Sequence, residues 1–163
     1  MKSARRSSGK LMVGTKIEKI SDKTLRGFSG YRLKRAFNVV QADLSHVLKP
    51  FGLRMITYSA LVLIVDNPGL RQSQLADAMD IERPNLVVII DELERRDLIL
   101  REKVPTDRRA YALVPTLAGR QLCARAIEAV KSHEARLLQG VGMTEYAQVL
   151  DVLRRIEAKG TKE

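Results

Sequence analysis

Apolar positions follow two periods along this chain, and the switch between them organises everything else. Between residues 23 and 48, Tyr31, Ala36, Val39, Val40, Leu44, Val47 and Leu48 recur near the 3.6-residue repeat of a helix, which Lys49-Pro50-Phe51-Gly52 ends. A second helix is predicted over 55–65, stopped by Asn67-Pro68-Gly69. A short third helix covers 73–78, with Leu75, Ala76 and Met79 inward, and after a turn at Asp80-Ile81 a fourth covers 83–96. The period then shortens to that of strands. Residues 98–104 and 110–114 are β-suited and flank the polar stretch Pro105-Thr106-Asp107-Arg108-Arg109, which reads as a hairpin closed by a five-residue loop. Pro115 is expected to end the second strand early. Thr116 offers an N-cap to a fifth helix over 117–138, with Leu122, Cys123, Ala126, Ile127 and Val130 along one side. Gly140-Val141-Gly142 breaks it, and a sixth helix covers 144–158 with Ala147, Leu150, Val152, Leu153 and Ile156.

The predicted fold class is therefore mainly α with a small β-hairpin wing (α+β). Helix, tight turn, helix and hairpin in this order form a winged helix-turn-helix. A major groove about 12 Å wide admits one α-helix, which a preceding helix must hold at a fixed angle. Here residues 72–78 support and 83–96 read. Leu86, Leu93 and either Ile89 or Ile90 form the inward stripe, leaving Arg83, Asn85 and Val88 toward the outside. Pro84 fits a first helical turn, where its missing N–H would have no partner anyway. With Gln72, Ser73 and Gln74 on the supporting helix and Asp107, Arg108 and Arg109 at the hairpin tip, these are the candidate DNA contacts. The hairpin cations suit phosphates or the narrow minor groove, where negative potential concentrates.

Charge sharpens this picture by its location. The net charge is +10, and residues 1–35 carry eleven Lys/Arg against Glu18 and Asp22, so all but one unit belongs to the N-terminal fifth. Residues 1–22, punctuated by Ser7-Ser8-Gly9 and Gly14, read as a basic arm that attracts polyanions. The core must be built from Leu, Ile, Val and Ala, because aromatics are 4% of the chain and Trp is absent. No apolar run approaches about 18 residues, so no membrane span is expected and the expected location is cytoplasmic. One cysteine, Cys123, leaves no internal disulfide, and it reads as a small buried helix residue. His46, His133 and Cys123 lack the spacing of a metal site, and no cofactor is implied.

The residues Leu75–Asn85, then Asp91-Glu-Leu-Glu-Arg-Arg-Asp-Leu-Ile99, then Asp107-Arg-Arg-Ala110 with Thr116-Leu-Ala-Gly119, resemble the MarR family of bacterial regulators over residues 28–158. The resemblance implies that Asp107 holds Arg109, which enters the minor groove, while Arg108 contacts phosphate. It also implies an obligate homodimer through the terminal helices, so that 23–52 and 116–163 form a dimerisation region around a DNA-binding lobe at 53–115. The expected partners are then double-stranded DNA, a second copy of the chain, and a small aromatic or phenolic carboxylate or its thioester that releases DNA. Tyr31, Arg35, His46, Arg54 and Tyr58 are the candidate effector contacts, offering aromatic faces and cations for an acid. Three departures from the family pattern are Val87-Val88 on the reading helix, Glu82 at its N-cap and Pro115 before Thr116. The valines suggest contact with thymine methyls in place of hydrogen-bonded readout.

Nothing points to catalysis. There is no glycine-rich phosphate loop, nucleophile motif or isolated carboxylate pair, and Asp91, Glu92, Glu94 and Asp97 lie among Arg95 and Arg96 as a solvated helix face. Two alternatives to a ligand-responsive repressor stay open: an architectural, weakly sequence-specific DNA binder, and a protein-interaction module on the same scaffold.

Overall fold

The computed structural model describes residues 20–160, apart from Pro105 and Thr106 and the side chains of 104–110. The basic arm at 1–22 therefore lies outside the described residues up to position 19. The chain divides into two units within α1 (Ser29–Leu48), after Arg35.

The first unit departs from expectation at its start. The helix predicted from residue 23 begins at Ser29, preceded by a single 3-10 turn at Leu25–Gly27 and an extended Phe28. Asp22 organises this turn. Its carboxylate accepts from Arg26 Nε at 2.7 Å and from the Tyr31 hydroxyl at 2.9 Å, and the Arg26 carbonyl accepts from Arg32 Nε. These local bonds compete with continuous helix, the usual behaviour of Asp near a helix start.

The second unit is built around α2 (Met55–Asp66), whose Thr57, Ala60, Leu61 and Ile64 are buried. A helix apolar on most sides belongs in a core, and α2 packs against α3 (Gln72–Met79), α4 (Arg83–Arg95), α5 (Leu117–Leu137) and strand β3. Thr57 is tolerated there because its hydroxyl accepts from the Arg54 N–H at 2.9 Å and donates to the Arg54 carbonyl at 3.1 Å. The fully buried Leu48, Leu61, Leu75, Leu86, Ile90, Leu93, Ile99 and Leu113 complete the core. Each such side chain contributes roughly 1.5–3 kcal/mol of apolar burial. Both Ile89 and Ile90 are buried, so the inward stripe of α4 is wider than either alone. α3 closes at its expected turn: Asp80 takes the left-handed conformation that ends the helix, and the Ile81 N–H bonds back to the Ala76 carbonyl.

The hairpin becomes a three-stranded antiparallel sheet in the order β1-β3-β2, with β1 at Leu70–Arg71, β2 at Ile99–Val104 and β3 at Asp107–Pro115. β1 was invisible in the sequence because two residues carry no periodicity. β3 starts at Asp107, three residues before the predicted start, so the expected five-residue loop is not what joins the strands. The register explains it: Lys103 pairs with Tyr111 but Val104 pairs with Asp107, leaving residues 108–110 without β2 partners of their own. Such a bulge bends and twists the strand carrying it. Pro115 does not end β3 early; it is the last residue of the strand, opposite Ile99. Thr116 N–H bonds the Leu98 carbonyl at 3.1 Å, which makes the 99/115 pair non-hydrogen-bonded, so the missing proline donor points away from β2. On that side β1 has already ended.

Where the sheet meets α5, the chain is clipped shut. The Thr116 hydroxyl donates to the Asp97 carbonyl at 2.6 Å and accepts from the Gly119 N–H at 2.9 Å, capping α5 while holding the far end of the hairpin to its beginning. Gly119 packs so closely that a Cβ there would sit 1.9 Å from the Leu98 carbonyl oxygen. Relief would require backbone movement at the sheet edge. Gly119→Ala is therefore expected to lower unfolding free energy by about 2–4 kcal/mol, measured by urea titration; stability equal to the wild type would refute the clash.

Candidate nucleic-acid interface

The α3–turn–α4 segment gives one side of α4 to the core and leaves the other bare. Arg83, Pro84, Asn85, Val87, Val88, Asp91 and Arg95 are exposed, with Val88 at 63% and Val87 at 45%. Two valines that exposed on an otherwise well-packed helix are costly to leave in water, and α4 keeps them in the centre of its outward stripe. Val87 joins Val88 in that stripe; sequence spacing singled out only Val88. On α3, Gln72 and Ser73 are half-buried and Gln74 is exposed. Gln74 Oε1 accepts from the Arg71 N–H at 2.9 Å, so half of its amide is occupied in capping its own helix.

Glu82 occupies the N-cap of α4 and makes no side-chain capping bond. A cavity of about 520 Å³ opens at this turn, lined by Ala76, Asp77, Asp80, Ile81, Glu82, Arg83 and Pro84. Three carboxylates against one guanidinium make it a poor cradle for phosphate, whatever the helix dipole contributes. Beyond this cavity, the outward side of α4 carries Asn85 and the two valines.

The acidic cluster of α4 stays accessible to solvent, as expected from sequence, but its carboxylates are paired with arginines of other elements. Glu92 Oε2 accepts from Arg54 at 2.5 Å, Glu94 Oε2 accepts from Arg101 Nη1 at 2.9 Å, and Arg101 Nη2 also donates to Asp91. Arg96 is spent on main chain, donating to the Gly52 and Phe51 carbonyls at 2.6 and 2.8 Å. Sequence reasoning missed Arg101 and Arg96 because their partners lie on other elements. Asp107, Arg108 and Arg109 form the first residues of β3, and their side chains lie outside those described.

Of the candidate effector contacts, Tyr31 and Arg35 lie together, with the guanidinium carbon 6.0 Å from the ring centroid, and Arg54 and Tyr58 share the first turn of α2, where the Tyr58 N–H donates to the Arg54 carbonyl at 2.9 Å. His46 donates from Nδ1 to the Ala42 carbonyl of its own helix at 2.9 Å, and Arg54 is tied to Glu92. Tyr58 is half-buried on α2, and burial pushes its hydroxyl above the ordinary tyrosine range. Buried His133 lies with Nδ1 4.0 Å from Asp43 Oδ2. Among the described residues no group of three or more His, Cys, Asp or Glu is placed to hold a metal ion, and no single helix is long and apolar enough to cross a membrane.

Supporting helix, exposed reading helix and antiparallel wing define a winged helix-turn-helix DNA-binding protein, and known proteins agree. Residues 53–111 match the model of the MarR family. The transcriptional repressor CouR, solved on a 23-mer DNA duplex, superposes with a TM-score of 0.82 at 36% identity, over 86% of this chain and 99% of that one. CouR from Rhodococcus jostii RHA1, solved bound to p-coumaroyl-CoA, gives a TM-score of 0.75 at 32% identity over 82% and 94% of the two chains. A candidate transcriptional regulatory protein for the hcr operon of Thauera aromatica is 38% identical over 99 residues, 61% of this chain and 60% of its own length. This chain spans about three-fifths of that relative. It belongs to the MarR family of transcriptional regulators.

Cys123 stands apart from this surface. It is 1% exposed, and its thiol is pushed above the usual cysteine range by burial first and by Asp66 second. Thiolate, the reactive form, is thus scarce near neutrality. In the folded protein at pH 8, an aromatic disulfide reagent should modify Cys123 at least ten-fold more slowly than after unfolding in guanidinium. Equal rates would show the thiol to be accessible.

Proposed function

We propose that this chain is a transcriptional repressor that binds a palindromic operator as a homodimer and leaves it when an aromatic acid, carried as its coenzyme A thioester, binds. The observation that carries the DNA half is the outward stripe of α4, exposed on a scaffold 36% identical to a repressor solved on a DNA duplex. Arg83, Pro84, Asn85 and Val88 on α4 are the proposed groove contacts, with Gln72, Ser73 and Gln74 on α3 at the adjacent backbone. Asp107 restrains Arg109 for the minor groove, and Arg108 meets phosphate. Catalysis has no part in this reading.

The homodimer is supported by apolar surface that one copy leaves uncovered. α6 (Met143–Gly160) has no buried residue, yet Met143, Val149, Leu150, Val152 and Ile156 are exposed on it. In the second unit α1 buries only Leu48 and exposes Phe37 and Val39. Helices in proteins draw most of their stability from packing an amphipathic face, so such faces need a partner, and a second copy supplies one with a two-fold axis. That axis would present two reading helices to half-sites about one helical turn apart. The effector class is supported by CouR bound to p-coumaroyl-CoA, with Tyr31, Arg35, His46, Arg54 and Tyr58 as proposed contacts. Release then requires only that the thioester bind more tightly to the DNA-free spacing of the two lobes.

Two outcomes test this. In a mobility-shift assay at fixed salt, the wild type should prefer a palindromic site from its own regulated region over random DNA and release it on addition of an aromatic acyl-coenzyme A. Arg109→Ala should weaken operator binding by about 1–3 kcal/mol. Unchanged affinity would defeat the wing assignment, and equal binding to random DNA would favour an architectural protein. Leu150→Glu with Ile156→Glu should convert a species of twice the chain mass into monomer in light scattering, with operator binding lost. A double variant still of dimer mass would remove α6 from the interface.

A further inference from the structure

Arg101 occupies a position that strand alternation assigns to the interior. Along β2, Ile99 is buried and Leu100 is exposed, so Arg101 returns to the Ile99 face, the side of the sheet toward the helices. Its side chain is 24% exposed, and its Nε is buried without an acceptor among the described residues. The guanidinium reaches α4 and donates one terminal nitrogen to Glu94 and the other to Asp91. Three residues apart, these carboxylates stand side by side on the helix and fit the fork of an arginine.

An apolar side chain would hold β2 on α4 without the desolvation that a partly buried ion triad incurs. What the triad supplies is direction. Two fixed nitrogen-to-oxygen contacts set both the distance and the rotation of the strand relative to the helix, which packing alone leaves free to slide. Asp91 lies three, four and seven residues after Val88, Val87 and Pro84, so it belongs to the outward stripe of α4. The triad therefore ties the root of the hairpin to the very face proposed to enter the groove.

We infer that Arg101 is a positioning residue for DNA binding, locking the wing to the reading helix so that both engage the duplex as one rigid body. The inference rests on the proposed DNA interface, while the lock itself can be read without DNA. Two experiments separate them. In the free full-length protein, Arg101→Ala and the pair Asp91→Asn with Glu94→Gln should each raise hydrogen exchange of the β2 and β3 amides at 100–103 and 112–114 at least ten-fold, with α2 and α5 unchanged. In operator titrations, Arg101→Ala should weaken binding at least ten-fold, and adding Arg109→Ala should then cost less than a further three-fold, because a released wing has little left to lose. If Arg101→Ala does not fold, Arg101→Lys, which keeps the charge but not the fork, takes its place. Unchanged exchange overturns the lock, and fully multiplicative losses overturn its role in DNA binding. Faster exchange together with a silent Arg109→Ala in the wild-type background would keep the lock and discard the DNA interface instead.

Discussion

Thr116 and Gly119 hold together the point where the wing leaves the helical core and returns to it. The threonine hydroxyl bonds the Asp97 carbonyl on one side and the Gly119 N–H on the other, and Gly119 lies against the Leu98 carbonyl with no room for a methyl group. Three elements converge there: the end of α4, the sheet and the start of α5. Because the hairpin projects from this junction, its angle to the reading helix is inherited from contacts made several residues away. A winged DNA-binding protein needs that inheritance, since a wing free to swing would lose configurational entropy on every binding event.

The core explains why the reading helix can be offered to a partner at all. α4 is anchored by Leu86, Ile89, Ile90 and Leu93, and by Arg96 bonding the Gly52 and Phe51 carbonyls, so its other side is under no obligation to pack. α2 makes this possible by being apolar on most sides and touching every neighbour. The same economy fails for α6, which is amphipathic yet has no buried residue among those described. Its Met143, Val149, Leu150, Val152 and Ile156 stay exposed, and this is the surface on which the proposed dimer rests.

The carboxylates beside the candidate interface are paired or gathered at one turn. Glu92, Glu94 and Asp91 are each engaged by an arginine from another element, while the turn before α4 keeps three carboxylates around its own cavity. The positive charge concentrated before residue 36 lies in sequence outside this lobe.

Sequence alone determined the order and number of helices, the hairpin, the capping role of Thr116 and the inward stripe of α4, because each follows from periodicity or from a local bond within four residues. It could not show β1, whose two residues become a strand only beside Leu113 and Ala112, nor the register shift that brings Asp107 into β3. It placed Arg101, Arg54 and Arg96 no better, since their partners are 7 and 10, 38, and 44 and 45 residues away on other elements. It treated Gly119 as a motif letter, whereas the fold made it a steric necessity. Local patterns fix which elements form; only the packed chain decides which charges meet and where a single methyl group has no space.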